Sequence, residues 1–294
     1  MKRNLKEKLG NISLKASAFL VLFIFCSVFL ILFTKSTLIL STQPLEQLFS
    51  STWNPRQGDF GYAPFIIGTL WVTGISMCIS VPISLLSAIY ISEYAPKKIK
   101  RTIKSFTDLL AGVPSVVYGL CGLLVLVPLV KDFIAPALGI DSTGFCIFTA
   151  SITLSVMVFP IIISLCVEAF NSVPHDIRES SLALGATKWQ MIKKVLFRAS
   201  FPGIVASVLL GFGRAFGETM AVLMLVGNKP MVNPSLFGPA STIPALVAGS
   251  YGDMQSVPIY ESAILLAALF LFIIVALFNI MARIIMARAE KRWS

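Results

Sequence analysis

The sequence predicts an all-α membrane protein with six transmembrane helices, on three observations. Of its 294 residues, 56% are hydrophobic and 13% charged, where soluble domains average roughly 45–50% and about 25%. A bilayer core of about 30 Å is crossed by about 20 helical residues, and six apolar runs reach that length: 14–40, 63–92, 106–130, 145–169, 201–226 and 261–286. Inside lipid each segment must satisfy its own backbone, so helices are the economical form. The third observation is charge placement. With the connections assigned alternately to two sides, one side collects nineteen of the 24 basic residues. They cluster at Lys2 to Lys15, Lys97 to Lys104, Arg178 to Arg198 and Arg283 to Arg292. The other side holds Lys35, Arg56, Lys131 and Lys229, and only Arg214 lies within a run. The positive-inside rule then puts both termini in the cytoplasm. The net charge of +10 sits in short clusters at membrane ends without interleaved stacking aromatics, which argues against a nucleic-acid partner.

Each element follows in order. Residues 1–12 form a cytoplasmic basic tail. The first apolar run is longer than the 7–15 residues of a signal-peptide core and has no small-x-small cleavage site, so it reads as a transmembrane helix. With the outer loop after it, it makes a unit of 13–62. That loop holds Trp53, Pro55 and the turn-like QGDFG, with Trp53 and Tyr62 expected as interfacial anchors. A core of five helices follows at 63–286. A tight turn, EYAPKKIKR, separates its first two helices, with Pro96 as the stop. The third helix opens with LLAGVPSVVYGLCG. Gly112 and Pro114 weaken its ladder, and Ser115 and Tyr118 add polar groups, which fits either a kinked packing helix or one lining a pathway. The outer loop 228–260 carries STIPALVAG, too short to span, so a re-entrant or interfacial segment is expected. Residues 287–294 are a second cytoplasmic tail. The five cysteines lie in apolar spans without CxxC spacing and read as packing residues. A lone His175 makes no metal site, and no internal repeat stands out.

The connection at 171–200 is long for a structureless loop. Asn171 or Ser172 is placed to cap a first helix, with Pro174, Asp176 and Glu179 in its early turns. Gly185 suits a left-handed stop. Thr187 then starts a second helix with Gln190 as its capping-box partner, and Met191, Val195 and Leu196 recur at helical spacing. Two readings fit: an amphipathic segment on headgroups with Trp189 at the interface, or a docking knob for a soluble partner. The motif ESSLALGATKW resembles the EAA loop of ABC importer permeases, with Glu179 and Gly185 at the family spacing and Ser180 and Ser181 in place of two alanines. The family's late proline is here Arg198, with Pro202 four residues on. The resemblance implies that Glu179, Gly185, Ala186, Thr187 and Trp189 meet a separate ATPase. The chain has no GxxxxGK[ST] loop of its own.

The remaining oddity is GFGRAFGETMAV, where Arg214 and Glu218 sit four residues apart in an apolar run. On one continuous helix they would share a face. An intramembrane arginine is costly and reads as functional by default, although a structural ion pair is the alternative. Gly213 and Gly217 make a small-xxx-small face, Gly211 thins the helix further, and Thr219 adds a hydroxyl. A guanidinium suits a tetrahedral oxyanion because it donates paired hydrogen bonds. Together with FGYAPFIIGTLWVT, ISEYAP and GVPSVVYG, this stretch is similar to the phosphate-specific ABC importer permeases of the PstC type, from about Trp53 onward.

That resemblance implies a type I ABC importer permease fold in a bacterial or archaeal plasma membrane. It also implies a sister permease, two ATPase copies that bind ATP and Mg, an extracytoplasmic phosphate-binding protein, and no cofactor or catalytic residue on this chain. Arg214, Glu218, Thr219, Ser115 and Tyr118 would line the substrate pathway. Importers of sulfate or molybdate, and a passive anion channel, are the competing functions. An intramembrane enzyme would need a nucleophile–base set that the spans lack.

The charge asymmetry makes a direct prediction. Single cysteines replacing Ser181 and Ser256, in a background without the native cysteines, are expected to react with an impermeant thiol reagent from opposite membrane faces. Labelling from one face would overturn the six-span topology.

Overall fold

The computed structural model describes residues 2–232, 235–252 and 257–290, without the side chains of residues 2–10, 282 and 285–290. Ser256 and the end of the C-terminal tail, 291–294, lie outside the described residues. Among the described residues, five helices are long and apolar enough to cross a membrane. A sixth apolar stretch is bent and broken.

Helix α1, Lys2–Thr42, presents most of its apolar side chains outward. Its partner is the last helix, α11, Pro258–Glu290. Phe25 and Phe29 pack on Phe272 with ring centroids 4.6 and 6.0 Å apart. The Ser262 hydroxyl donates to the Lys35 carbonyl at 2.8 Å and accepts from the Ile39 amide at 3.1 Å. It thereby bridges two backbone groups one helical turn apart on α1.

Between α1 and the next span, strands β1, Trp53–Asn54, and β2, Asp59–Phe60, pair antiparallel with Trp53 opposite Phe60. The expected interfacial role of Tyr62 is not what the fold shows. Tyr62 is fully buried, and its hydroxyl donates to the Ala263 carbonyl at 2.8 Å. Trp53, half-buried, lies against Phe60, Tyr62, Phe65 and Tyr260. An aromatic cluster has more to gain from mutual burial than from a headgroup layer. It fastens the hairpin to the last span.

Helix α2, Ala63–Ile89, continues through a wide π-type turn, Tyr90–Tyr94, closed by the Ala95 amide on the Tyr90 carbonyl at 2.9 Å. It packs along α5, Ile147–Asn171. Their seam is polar but small: Thr73, Ser76, Ser80 and Ser84 on one side, and Ser151 and Ser155 on the other, are all buried. Ser151 donates to the Val72 carbonyl at 3.2 Å and Ser80 to the Ser155 carbonyl at 3.3 Å. Small hydroxyl residues let backbones approach where lipid gives no hydrophobic drive between helices.

The expected tight turn before the third span is instead a helix. α3, Lys97–Gly112, carries the basic cluster, and the span itself is α4, Ser115–Ala137. Pro114 disfavours the helical region for Val113, which is extended at φ −70° and ψ 129°. The apolar residues from Phe106 to Leu110 therefore close an amphipathic helix and do not open the span. Gly119 and Gly122 bring α4 close to a short helix α9, Met220–Leu225. The segment 241–250 returns onto α2. A Cβ on Gly68 would run into the Ser241 carbonyl, and the Ile243 amide donates to Thr69 Oγ1 at 2.9 Å. Helix α10, Ile243–Ser250, starts at Thr242, whose side chain accepts from the Ala245 amide. Cys146 and Cys166 are buried as packing residues, whereas Cys26, Cys78 and Cys121 lie on the chain's outer surface.

A Cβ on Gly119 would stand 3.1 Å from the Ala221 Cα and 2.8 Å from Met224 Sδ, whereas one on Gly213 meets nothing within 4 Å. Gly119→Leu is expected to overpack by about 1–3 kcal/mol and lower the unfolding temperature of the purified chain in detergent. Gly213→Ala is expected to leave it unchanged or slightly raised. Equal effects would contradict the α4–α9 packing.

Candidate functional site

The stretch around Arg214 is a broken helix. α8, Phe201–Phe216, ends at Gly217, and α9 begins after Thr219. Arg214 and Glu218 therefore do not share one continuous helical face, and no ion pair joins them among the described residues. Local bonding explains the break. The Glu218 carboxylate accepts from the Ala221 amide at 3.3 Å, supplying a partner that the first turn of α9 lacks. The Thr219 hydroxyl donates to the Gly217 carbonyl at 3.2 Å. Arg214 sits in the last turn of α8, where a cation faces the carbonyl end of the helix.

Two broken helices meet here. Tyr118 on α4 is buried, and its hydroxyl reaches back across the α3–α4 break to the Leu110 carbonyl at 2.9 Å. Arg214 is exposed on the isolated chain; Ser115, Glu218 and Thr219 are half-buried. The three glycines of the segment divide. Gly211 packs tightly on Ile162 and Val158 of α5, while Gly213 and Gly217 are open to whatever lies beside the chain. Among the described residues no group of three His, Cys, Asp or Glu side chains gathers to hold a metal.

The knob between α5 and α8 holds most of its expected local structure. Helix α6, His175–Ala183, ends at a left-handed Gly185 with φ +82°. Helix α7, Lys188–Ala199, starts with a complete capping box: the Gln190 amide donates to Thr187 Oγ1 at 3.3 Å, and the Thr187 amide to Gln190 Oε1 at 2.9 Å. The first cap differs from expectation. α5 runs on to Asn171, Ser172 closes it by donating to the Ala169 carbonyl, and Pro174 opens α6 without a side-chain cap. Met191, Ile192 and Leu196 are buried against the bundle, whereas Val195 is only half-buried. At the opposite tip Leu184 is 89% exposed and Trp189 54%. Glu179 and Thr187 are exposed beside them, and Ala186 is half-buried.

Sequence reasoning missed the centre of this region. Arg178, counted there as one more surface cation, is buried. It donates to the Val173 and Phe170 carbonyls at 2.7 and 2.6 Å, and its Nε lies 3.3 Å from Glu93 Oε1 on the far end of α2. Lys188 adds a bond to the Glu93 carbonyl at 2.6 Å and lies 4.4 Å from the centre of the Tyr94 ring. The available signal was Glu93 itself, a carboxylate at the end of an apolar run, which requires a partner.

A family model described as the binding-protein-dependent transport system inner membrane component matches residues 80–294. The chain belongs to that family. Among its relatives is the "Probable ABC transporter permease protein YqgH" of Bacillus subtilis (strain 168), 37% identical over 92% of this chain and 90% of that one. Another is the "Phosphate transport system permease protein PstC" of Xylella fastidiosa (strain Temecula1), 35% identical over 86% of this chain and 82% of that one. The fold is also that of the MetNI methionine ABC transporter in inward-facing form, with a TM-score of 0.60 at 18% identity over 81% of this chain and 99% of that chain. This permease thus has the type I ABC importer fold, and it is an inner-membrane component.

Removing one member of a buried charge pair costs about 3–5 kcal/mol, because the other charge stays buried without its partner. Arg178→Met is therefore expected to lower the unfolding temperature of the permease in detergent well beyond Trp189→Ala, whose side chain is half outside already. Similar small effects would mean that Arg178 does not anchor the knob.

Proposed function

We propose that this permease forms, with a sister permease, the translocation pathway of an ATP-driven importer for inorganic phosphate. Arg214 at the α8–α9 break carries the reading. It is a cation within an apolar run, at the carbonyl end of α8 and left open on the isolated chain. A planar guanidinium donates two parallel hydrogen bonds to neighbouring phosphate oxygens. Ser115 adds a hydroxyl to the pathway, those of Tyr118 and Thr219 would join it on turning from the Leu110 and Gly217 carbonyls they now serve, and Glu218 supplies a counter-charge that keeps the anion from binding too tightly to leave. The naming of relatives as phosphate transport permeases supports the choice of phosphate over sulfate or molybdate.

The knob supports an ATP-driven mechanism over a passive channel. Its exposed tip, with Leu184 and Trp189 outermost and Glu179, Gly185, Ala186 and Thr187 around them, docks on an ATPase dimer that holds ATP and Mg. Both termini and the knob then lie in the cytoplasm. The 228–260 segment faces outward, toward an extracytoplasmic phosphate-binding protein.

Two measurements test this. In vesicles holding the assembled complex, Arg214→Gln is expected to abolish phosphate uptake while the ATPase still co-purifies, and Arg214→Lys to restore it only in part. A double variant with Arg214 and Glu218 both replaced by leucine that transports like wild type would leave the two as structural groups only. Separately, Gly185→Val forces a branched side chain into a left-handed corner. It is expected to weaken ATPase co-purification with the permease still inserted; unchanged binding and uptake would remove the docking role.

A further inference from the structure

The knob is joined covalently to α5 and α8, so those two spans are the obvious recipients of any force applied to it. The side chains tell of a third. Arg178 bonds the Phe170 carbonyl in the last turn of α5 and the Val173 carbonyl just beyond it, while its Nε faces Glu93 at the end of α2. Lys188, on the second knob helix, grips the same residue through its carbonyl and lies over the neighbouring Tyr94 ring. Glu93 is held from its own side by the Ser92 hydroxyl, at 3.0 Å from Oε1, and Lys100 of α3 bonds the Ser92 carbonyl at 2.6 Å. Beneath this polar joint, Met191, Ile192 and Leu196 share one buried cluster with Ile89 and Val173. Both knob helices are thus tied to the end of α2. The link onward to α8 is different in kind: α7 and α8 meet at a bend of 71° around Ser200.

We infer that Glu93 is the positioning residue through which displacement of the knob enters the second span, so that α2 and α5 move with it as one body. This rests on the reading of the knob as the ATPase docking element. Glu93 touches neither the anion nor the ATPase. It converts a push on an exposed tip into movement of a helix to which the knob has no chain connection. The buried carboxylate holds Arg178, and its backbone holds Lys188. Loss of either tie lets the knob move while α2 stays behind. ATP is then spent without transport.

The test uses the whole complex, reconstituted in proteoliposomes with its sister permease, ATPase and binding protein, and reads phosphate moved per ATP hydrolysed. Lys188 is exposed, so Lys188→Met is the variant that leaves folding intact. It is expected to keep ATPase co-purification but lower the transport ratio by about threefold or more, and Glu93→Gln to lower it by about tenfold, within the range seen for coupling residues. Lys188→Arg, which keeps the donor and the cation over Tyr94, is expected to return the ratio to near wild type. Wild-type ratios in both Lys188→Met and Glu93→Gln overturn the inference; if Glu93→Gln fails to assemble, an unchanged Lys188→Met overturns it alone. The underlying reading fails separately, and visibly, if the wild-type complex hydrolyses ATP without moving phosphate or if the ATPase does not co-purify with it.

Discussion

The constraint on which this structure depends is that backbone groups away from water must find partners inside the protein. Long helices meet it by themselves. Every departure from a helix needs a side chain to take over, and the functional features of the chain sit where that happens. Tyr118 serves the Leu110 carbonyl where α3 stops, Glu218 serves the Ala221 amide where α9 starts, and Arg178 serves the Phe170 carbonyl where α5 stops and the Val173 carbonyl just beyond it. A polar residue in these spans is the substitute partner that permits the chain to break.

Seen this way, the charges of the permease divide by what they complete. Arg178 and Glu93 form an inward-facing set, 3.3 Å apart and each bonded to its neighbours, which suits them to transmit position. Arg214 is an open set. It lies at the carbonyl end of α8, with Gly213 and Gly217 leaving space beside it. Burial separates the two arginines better than their place along the chain does.

How much could be read from the residues follows the same division. The apolar runs locate four of the spanning helices close to their places, and the local chemistry of Gly185, Thr187 and Gln190 was legible because capping depends on residues only a few positions apart. The third span was placed too early because Phe106 to Leu110 are apolar on one face of an otherwise polar helix, a distinction that the run of hydrophobic letters hides. The fifth apolar run was read as unbroken because glycine is tolerated within membrane helices, and nothing local says that Glu218 will bond its own chain in preference to Arg214. Tyr62 and Arg178 were misplaced because their partners, Ala263 and Glu93, are remote in sequence. The serine and threonine rows of α2 and α5 were on the page at spacings of three and four, and small-residue periodicity would have found that seam.

One contact bears on how the molecule is made. Ser262 bonds Lys35 across 227 residues of chain, and α11 is the partner against which α1 packs. At roughly 5–20 residues per second of synthesis, the first helix enters the membrane many seconds before its partner exists. Until then a long apolar helix stands alone in lipid with little to recognise. The partner helix α11 is the last span to be synthesised, so α1 can pack against it only after the spans between them have been made. Biogenesis of this permease therefore ends with the recovery of its beginning, and a chain stalled before Ser262 would carry a loose first helix as the mark of incomplete assembly.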